Sequence, residues 1–274
     1  LSLPWRGGHD VRMATIVFLH AHPDDEASQT SGTMTLAVRR GHRVVCVYAT
    51  GGEHGGVADD LGDATVSEYR RREAEASAKV IGTARVDWLG YTDSGMAGWE
   101  QNDAPGAFVR ADLDNAALKL AHILDEEAAD FLVGNDWHGN YGHPDHVMVH
   151  KVARRATELA RRRPHYLEGS MNRDAARRMF AESQAAGADG FDPDGGTDDG
   201  NPVGTPEAEL TWQVDVREVI DVKRAALACH ASQAADAGMM LAMPEEIFAM
   251  AFGFEHYLDP ALGGPMRPGW PFGD

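Results

Sequence analysis

The segment His20-Ala-His-Pro-Asp-Asp-Glu26 holds two imidazoles and three carboxylates in seven residues, and Tyr141-Gly-His-Pro-Asp-His146 adds two more imidazoles, a carboxylate and a phenol. Burying unpaired charge costs on the order of several kcal/mol per group, so these side chains are either solvated or gathered around a cation. Imidazole and carboxylate donors without a thiolate suit a hydrolytic metal centre. Zinc is the usual occupant, and Fe2+ competes for the same donors in a cell. Three protein ligands leave a position open to water, whose pKa such an ion lowers from about 15.7 towards about 7. A spare carboxylate can then take the proton. Neighbouring side chains diverge in a turning segment, so Asp24 and Asp25 divide into one ligand and one base. The competing reading makes these turn and N-cap residues, which accounts for one such cluster better than for two.

The remaining histidines carry weaker signals. His150 follows His146 at zinc-binding helical spacing, but Val147 stands where the metalloprotease pattern requires glutamate, so His150 is expected at the surface or behind the ligands. His54 and His138, each next to a glycine, could line the site, while His42, His122 and His165 are expected to be structural.

The two clusters are far apart in sequence, so the elements must bring them together. Buried-strand patterns at 14–20, 43–50, 86–89 and 131–134 alternate with helical patterns at 28–40, 65–81, 112–129 and 144–162. Four strand-then-helix units imply an α/β, Rossmann-like, mostly parallel sheet with helices on both faces. Ligands in such sheets bind at the carboxyl ends of the strands, where the polar segments 20–26, 51–56 and 136–146 fall. Further on, 165–171 and 210–214 read as strands, 172–185 and 216–231 as helices, and 244–257 as a last, partly aromatic segment. Residues 186–206, rich in Gly, Pro and Asp, read as a mobile acidic loop, a candidate lid. Residues 1–12 read as an extension and 13–274 as one domain.

Composition narrows the function classes. Twenty-five basic against 43 acidic residues give a net charge of −18, which disfavours a partner bound through its phosphate backbone or an anionic membrane. The only cysteines, Cys46 and Cys229, cannot build a disulfide framework or a thiolate metal site, and no apolar run is long enough to span a membrane, so a cytoplasmic setting is expected. The basic stretch 151–178 is expected to be a solvated helix face. The Gly-rich turn 50–56 lacks both a G-x-G-x-x-G opening a helix and a phosphate-binding lysine, which argues against a nucleotide site. Asp192 to Asp198 lacks the spacing of a calcium loop.

The residues match a family. The chain resembles the PIG-L (LmbE-like) zinc-dependent de-N-acetylases, which span mycothiol-pathway and bacillithiol deacetylases, mycothiol S-conjugate amidases and antibiotic-pathway sugar deacylases. The resemblance rests on Ala21-His-Pro-Asp-Asp-Glu26 and His143-Pro-Asp-His146. It is supported by Thr50-Gly-Gly-Glu53, the Arg70 to Glu73 helix, Asp93-Ser-Gly-Met96, Lys223 and His230-Ala-Ser-Gln233, and so covers roughly residues 13–233. It implies that His22, Asp25 and His146 bind zinc and that Asp24 is the general base. It also implies that His143 stabilises the oxyanion or protonates the leaving amine, and that Tyr141 polarises the acyl carbonyl. Glu53, Arg70 and Asp93 match substrate-contacting positions, although Arg70 could instead pair with Glu73 or Glu75, and Asp93 could cap the turn before Gly95. The implied reaction is hydrolysis of an N-acyl amide, typically N-acetyl, on a small amino-sugar compound. Neither nucleic acid nor membrane is an expected partner, and homo-oligomerisation stays open. Amide hydrolysis of the S-conjugate amidase type and metal or sugar binding without turnover are the alternatives. Gln29 stands where the amidase branch carries lysine, which weighs against the first of these.

Overall fold

The computed structural model describes residues 13–57, 61–185, 187, 190–197 and 199–273. The expected extension at 1–12 and part of the expected acidic loop lie outside the described residues. Eight strands form one sheet in the order β3-β2-β1-β4-β5-β7-β6-β8. β1 (Thr15–His20), β2 (Arg43–Thr50), β3 (Arg85–Tyr91), β4 (Phe131–Asn135) and β5 (His165–Ser170) run parallel. β1 pairs with β2 on one side and β4 on the other, so the chain order reverses there and a crevice opens at their carboxyl ends.

Alternation along β1 and β2 supplies both faces. Ile16, Phe18, Val44 and Cys46 point into one buried cluster with Met34, Ala74 and Leu227, drawn from α1 (Ser31–Arg39), α2 (Val66–Ile81) and α6 (Ile220–Ala228). Val17, Leu19, Val45 and Val47 point the other way, into Leu120, Leu124, Val149 and Val152 of α3 (Leu113–Glu126) and α4 (Pro144–Leu159). The sheet is thus covered on both sides, as the near-continuous apolar strands require. Helix ends follow their local chemistry. Thr65 and Glu68 form a reciprocal capping box on α2, which stops at Gly82 in the left-handed region (φ 90°). Asp112 caps α3 by accepting the Asn115 N–H.

The carboxyl-terminal third departs from the sequence expectations. Residues 244–257, read as one segment, divide into α8 (Glu245–Phe252) and β7 (Phe254–Leu258). A short apolar stretch has no periodicity that separates a two-turn helix from a buried strand. β7 runs antiparallel between β5 and β6 (Trp212–Asp215), and the short β8 (Arg267–Pro268) closes the edge. The residues expected to form one helix over 216–231 begin with a 3-10 turn at Arg217–Val219 before α6. α5 (Arg173–Ala185) and the short α7 (Ala237–Leu241) complete the described helices.

A candidate metal centre at the carboxyl edge of the sheet

The first cluster leaves β1, turns through residues 21–25 and enters a five-residue π-helical segment, Glu26–Thr30, that leads into α1. Single π turns inside helices frequently mark functional sites. The second cluster follows β4, and Pro144 occupies the first turn of α4 with His143 as its N-cap. Gly139 sits in the left-handed region, and a Cβ there would collide with His146, so only glycine lets this loop close over the histidine.

Three donors converge in the crevice. His146 Nε2 lies 3.3 Å from His22 Nδ1 and 3.3 Å from Asp25 Oδ1, and His22 Nδ1 lies 3.6 Å from Asp25 Oδ2. The two Asp25 distances run to different oxygens of its carboxylate, and among the described residues the groups whose ligand atoms come close enough together to share one ion are His22 with His143 and His146, and His22 with Asp93 and Asp145. The opposite face of His22 meets a second acidic group: its Nε2 is 3.2 Å from Asp145 Oδ2 and 3.5 Å from Asp93 Oδ1. Burial opposes charge on His22, but Asp93, Asp145 and Asp25 outweigh it and hold its pKa well above the ordinary value. For Asp25, burial is outweighed by His146 and His22, which hold its carboxyl far below the usual range. Carboxylates crowded around buried imidazoles call for a cation, and imidazole and carboxylate donors without a thiolate are chemistry that a zinc ion accepts.

The remaining positions are arranged around this centre. Asp24 turns away from Asp25, as divergent neighbours should, and its Oδ2 lies 3.2 Å from Arg70 Nη2. Burial pushes its carboxyl up to about 6 against the opposing pull of Arg70. Arg70 itself is buried and donates to the carbonyls of Gly52 (2.6 Å) and Pro23 (2.5 Å). Gly52 and Gly55 lie so close to that guanidinium that a Cβ at either would strike it. The alternative partner Glu73 instead accepts from Ser232, so Arg70 belongs to the site. Tyr141 places its hydroxyl 3.4 Å from His146 Nε2. The His143 ring lies 4.7 Å from that of His22, and its Nδ1 accepts the Asp145 N–H. Burial, reinforced by the neighbouring His22 and His146, drives its pKa down to about 2. Glu53 accepts the Asp93 N–H at 2.9 Å, and Asp93 in turn accepts from the Gly95 and His54 amides. The capping alternative for Asp93 is therefore realised together with its contact to His22.

One participant, Asp145, was not singled out from the sequence. Asp145 is fully buried, accepts from both the Ser94 amide (2.9 Å) and hydroxyl (2.5 Å), and so fixes the His22 ring from behind. It lies in the His143-Pro-Asp-His146 motif between two histidines, whose ligand chemistry is the stronger signal in the sequence. Gln29 donates to Asp25 Oδ1 at 3.0 Å and accepts from Asn135, so it orients a ligand. His54 reaches the site only through its backbone N–H to Asp93. His138 is buried on the Gly204 carbonyl, and His150 contacts the Asn135 carbonyl behind the ligands. His42 accepts from the Ala14 amide, His122 pairs with Glu126 at the surface and His165 with Asp259, all away from the two histidine clusters in sequence. In the basic stretch, Arg155 pairs with Asp114 and Glu158 on exposed helix faces. At the far end of the acidic loop the Gly204 amide donates to the Asn140 carbonyl, and Arg173 donates to the carbonyls of Pro202, Val203 and Gly204.

The chain is similar to known proteins. The PIG-L family pattern, described as GlcNAc-PI de-N-acetylase, matches residues 17–157. A 1D-myo-inositol 2-acetamido-2-deoxy-alpha-D-glucopyranoside deacetylase of Thermomonospora curvata is 36% identical over 276 residues, covering 92% of each chain. A protein of the same description from Acidothermus cellulolyticus is 35% identical, covering 89% of this chain and 88% of its own. Among solved structures, N,N'-diacetylchitobiose deacetylase from Pyrococcus horikoshii superposes with a TM-score of 0.57 at 18% identity, covering 89% of this chain and 84% of that one. The last likeness shows the fold; the family match and the full-length relatives show more, and the chain belongs to the PIG-L family of de-N-acetylases.

Proposed function

We propose that the chain hydrolyses the N-acetyl amide of a glucosaminyl small molecule, releasing acetate and a free amine. The supporting observation is the gathering of His22, Asp25 and His146 at the carboxyl edge of the sheet, with the neighbouring Asp24 carboxylate held by Arg70 instead. The full-length relatives act on a 2-acetamido-2-deoxyglucopyranoside of myo-inositol, and their coverage of the chain makes that compound the first substrate to test.

His22, Asp25 and His146 would hold the ion, zinc by choice of donors, which when bound polarises a water and the amide carbonyl. Asp24 takes a proton from the attacking water as its oxygen bonds to the acyl carbon, then returns it to the leaving nitrogen as the C–N bond breaks. A carboxyl poised near 6 suits that double duty near neutral pH. His143 accepts the Asp145 amide at Nδ1, so its one proton sits on Nε2 as a fixed hydrogen-bond donor. Of the two roles the resemblance allows it, this favours holding the oxyanion over protonating the amine. The Tyr141 hydroxyl supplies a second donor on the same side. Arg70 keeps Asp24 oriented, while Glu53 and Asp93 form the rim that would meet sugar hydroxyls.

The test is amine release from the myo-inositol glucosaminide and a panel of other N-acetylglucosaminyl compounds, for the native chain and for Asp24→Asn. The variant should retain its metal and lose about 10²- to 10⁴-fold in turnover, the usual worth of a general base. Full activity in Asp24→Asn removes the assignment of the base, and no amine release from any N-acetyl sugar removes the reading of the substrate.

A further inference from the structure

Asp24 is one of few non-glycine residues with positive φ, at 104°, a region that L-residues occupy only when the surroundings enforce it. The enforcing contacts are backbone ones. The Asp24 carbonyl accepts the amides of Ala27 (3.0 Å) and Ser28 (3.1 Å), and its N–H donates to Glu26 Oε2 at 3.0 Å. Glu26 is fully buried and makes no contact with the three metal donors in the crevice; its second oxygen accepts from the Ser77 hydroxyl of α2 at 2.6 Å and meets His230 Nε2 at 2.7 Å. His230 is also fully buried, and its other ring nitrogen has no partner among the described residues.

His230 stands just past α6, far beyond the 17–157 span that the family pattern matches, yet it closes a hydrogen-bonded chain ending at the backbone of Asp24. Its neighbours fasten that corner. Ser232 donates twice to Glu73 of α2, and Gln233 exchanges hydrogen bonds with Gly56. We infer that Glu26 and His230 are positioning residues for the reaction: together they hold the strained backbone of Asp24 so that its carboxylate faces the crevice. This rests on Asp24 being the base. A buried ion pair is weak as a source of stability, because desolvation consumes most of the Coulombic gain, so fixing one geometry is the use that remains for it here.

The experiment measures kcat, KM, zinc stoichiometry and melting temperature of the zinc-loaded chain for His230→Ala, His230→Gln and Ser77→Ala, each alone and combined with Asp24→Asn. Residual rates in the Asp24→Asn background are read by single turnover with enzyme in excess. His230→Ala should lower kcat by about 10- to 100-fold at unchanged KM and one zinc per chain, the scale of a misplacement below 1 Å. His230→Gln returns an N–H donor to Glu26 and should recover most of that loss. In the Asp24→Asn background His230→Ala should cost nothing further, because the residue it acts through is already disabled. Should His230→Ala fail to fold, Ser77→Ala, which removes one donor from the same oxygen, should still lower kcat alone. A native kcat in the folded, zinc-loaded variants overturns the inference, as does an equal loss in the Asp24→Asn background. If Asp24→Asn itself is fully active, the reading of the base falls instead, and the two failures are told apart.

Discussion

At the residue scale, the two ring nitrogens of His22 have separate sets of partners. Its Nδ1 faces Asp25 and His146 while its Nε2 is held by Asp145 and Asp93, and in the proposed site this would be the carboxylate–histidine arrangement that sets a ligand's tautomer and basicity. Asp145→Asn keeps the shape but removes the charge from behind the ring. It should weaken zinc affinity by about 10- to 100-fold, read by chelator competition, while the melting temperature of the fully loaded protein stays close to native. Unchanged affinity would mean that Asp145 serves Ser94 and the α4 cap rather than the metal. What the sequence disclosed at this scale was donor type. Two histidine clusters without thiolate pointed to the chemistry, and the divergence of Asp24 from Asp25 followed from their adjacency. The Arg70–Asp24 contact could not be read, because Glu73 and Glu75 are nearer in sequence and only the fold engages Glu73 elsewhere. Nor could the Glu26–His230 pair, whose members are separated by nearly the whole domain.

At the element scale, the strand-then-helix alternation was legible because each strand is a short apolar run and each helix is longer and ends at a glycine or cap. The carboxyl-terminal elements were not, because antiparallel β7 is held by a contact that no local pattern announces. Glu255 of β7 lies buried, accepts the Gly32 and Thr33 amides at the start of α1 and receives the fully buried Lys223 of α6 at 2.6 Å. That carboxylate satisfies helix amides that would otherwise be buried without partners, and it ties three elements behind the metal loop. Lys223→Ala leaves the charge of Glu255 without its counter-ion, and breaking such a pair typically costs about 3–5 kcal/mol. Denaturant unfolding should show a loss of that order, and a loss under about 1 kcal/mol would mean that the two helix amides suffice to hold Glu255.

At the scale of the whole molecule, the topology makes the site: the reversal between β1 and β4 opens the crevice into which loops 21–25 and 136–146 both descend. The mixed edge makes the fold sensitive to acid in a defined window. His256 on β7 is held down to about 4 by burial, aided by Arg178 against Glu207 and Glu255, and contacts the Gln213 amide. Unfolded, it would titrate near 6.5, so between about 6.5 and about 4 the unfolded chain binds the extra proton. The contribution is intact above pH 6.5 and is lost as pH falls towards 4, on the order of 3 kcal/mol. Stability measured across that range should fall less steeply in His256→Gln than in the native chain; parallel curves would place the acid sensitivity elsewhere. Among the described residues no helix is long and apolar enough to cross a membrane.

The most direct test of the metal centre is the zinc content of the purified chain, followed by metal titration of the chelated protein, with His22→Ala and His146→Ala alongside. One zinc per chain that restores amine release after chelation, and that both variants fail to hold, is the expected result. A native chain that takes up no metal, or variants that bind it as tightly, would contradict the convergence of the two histidine loops on one ion.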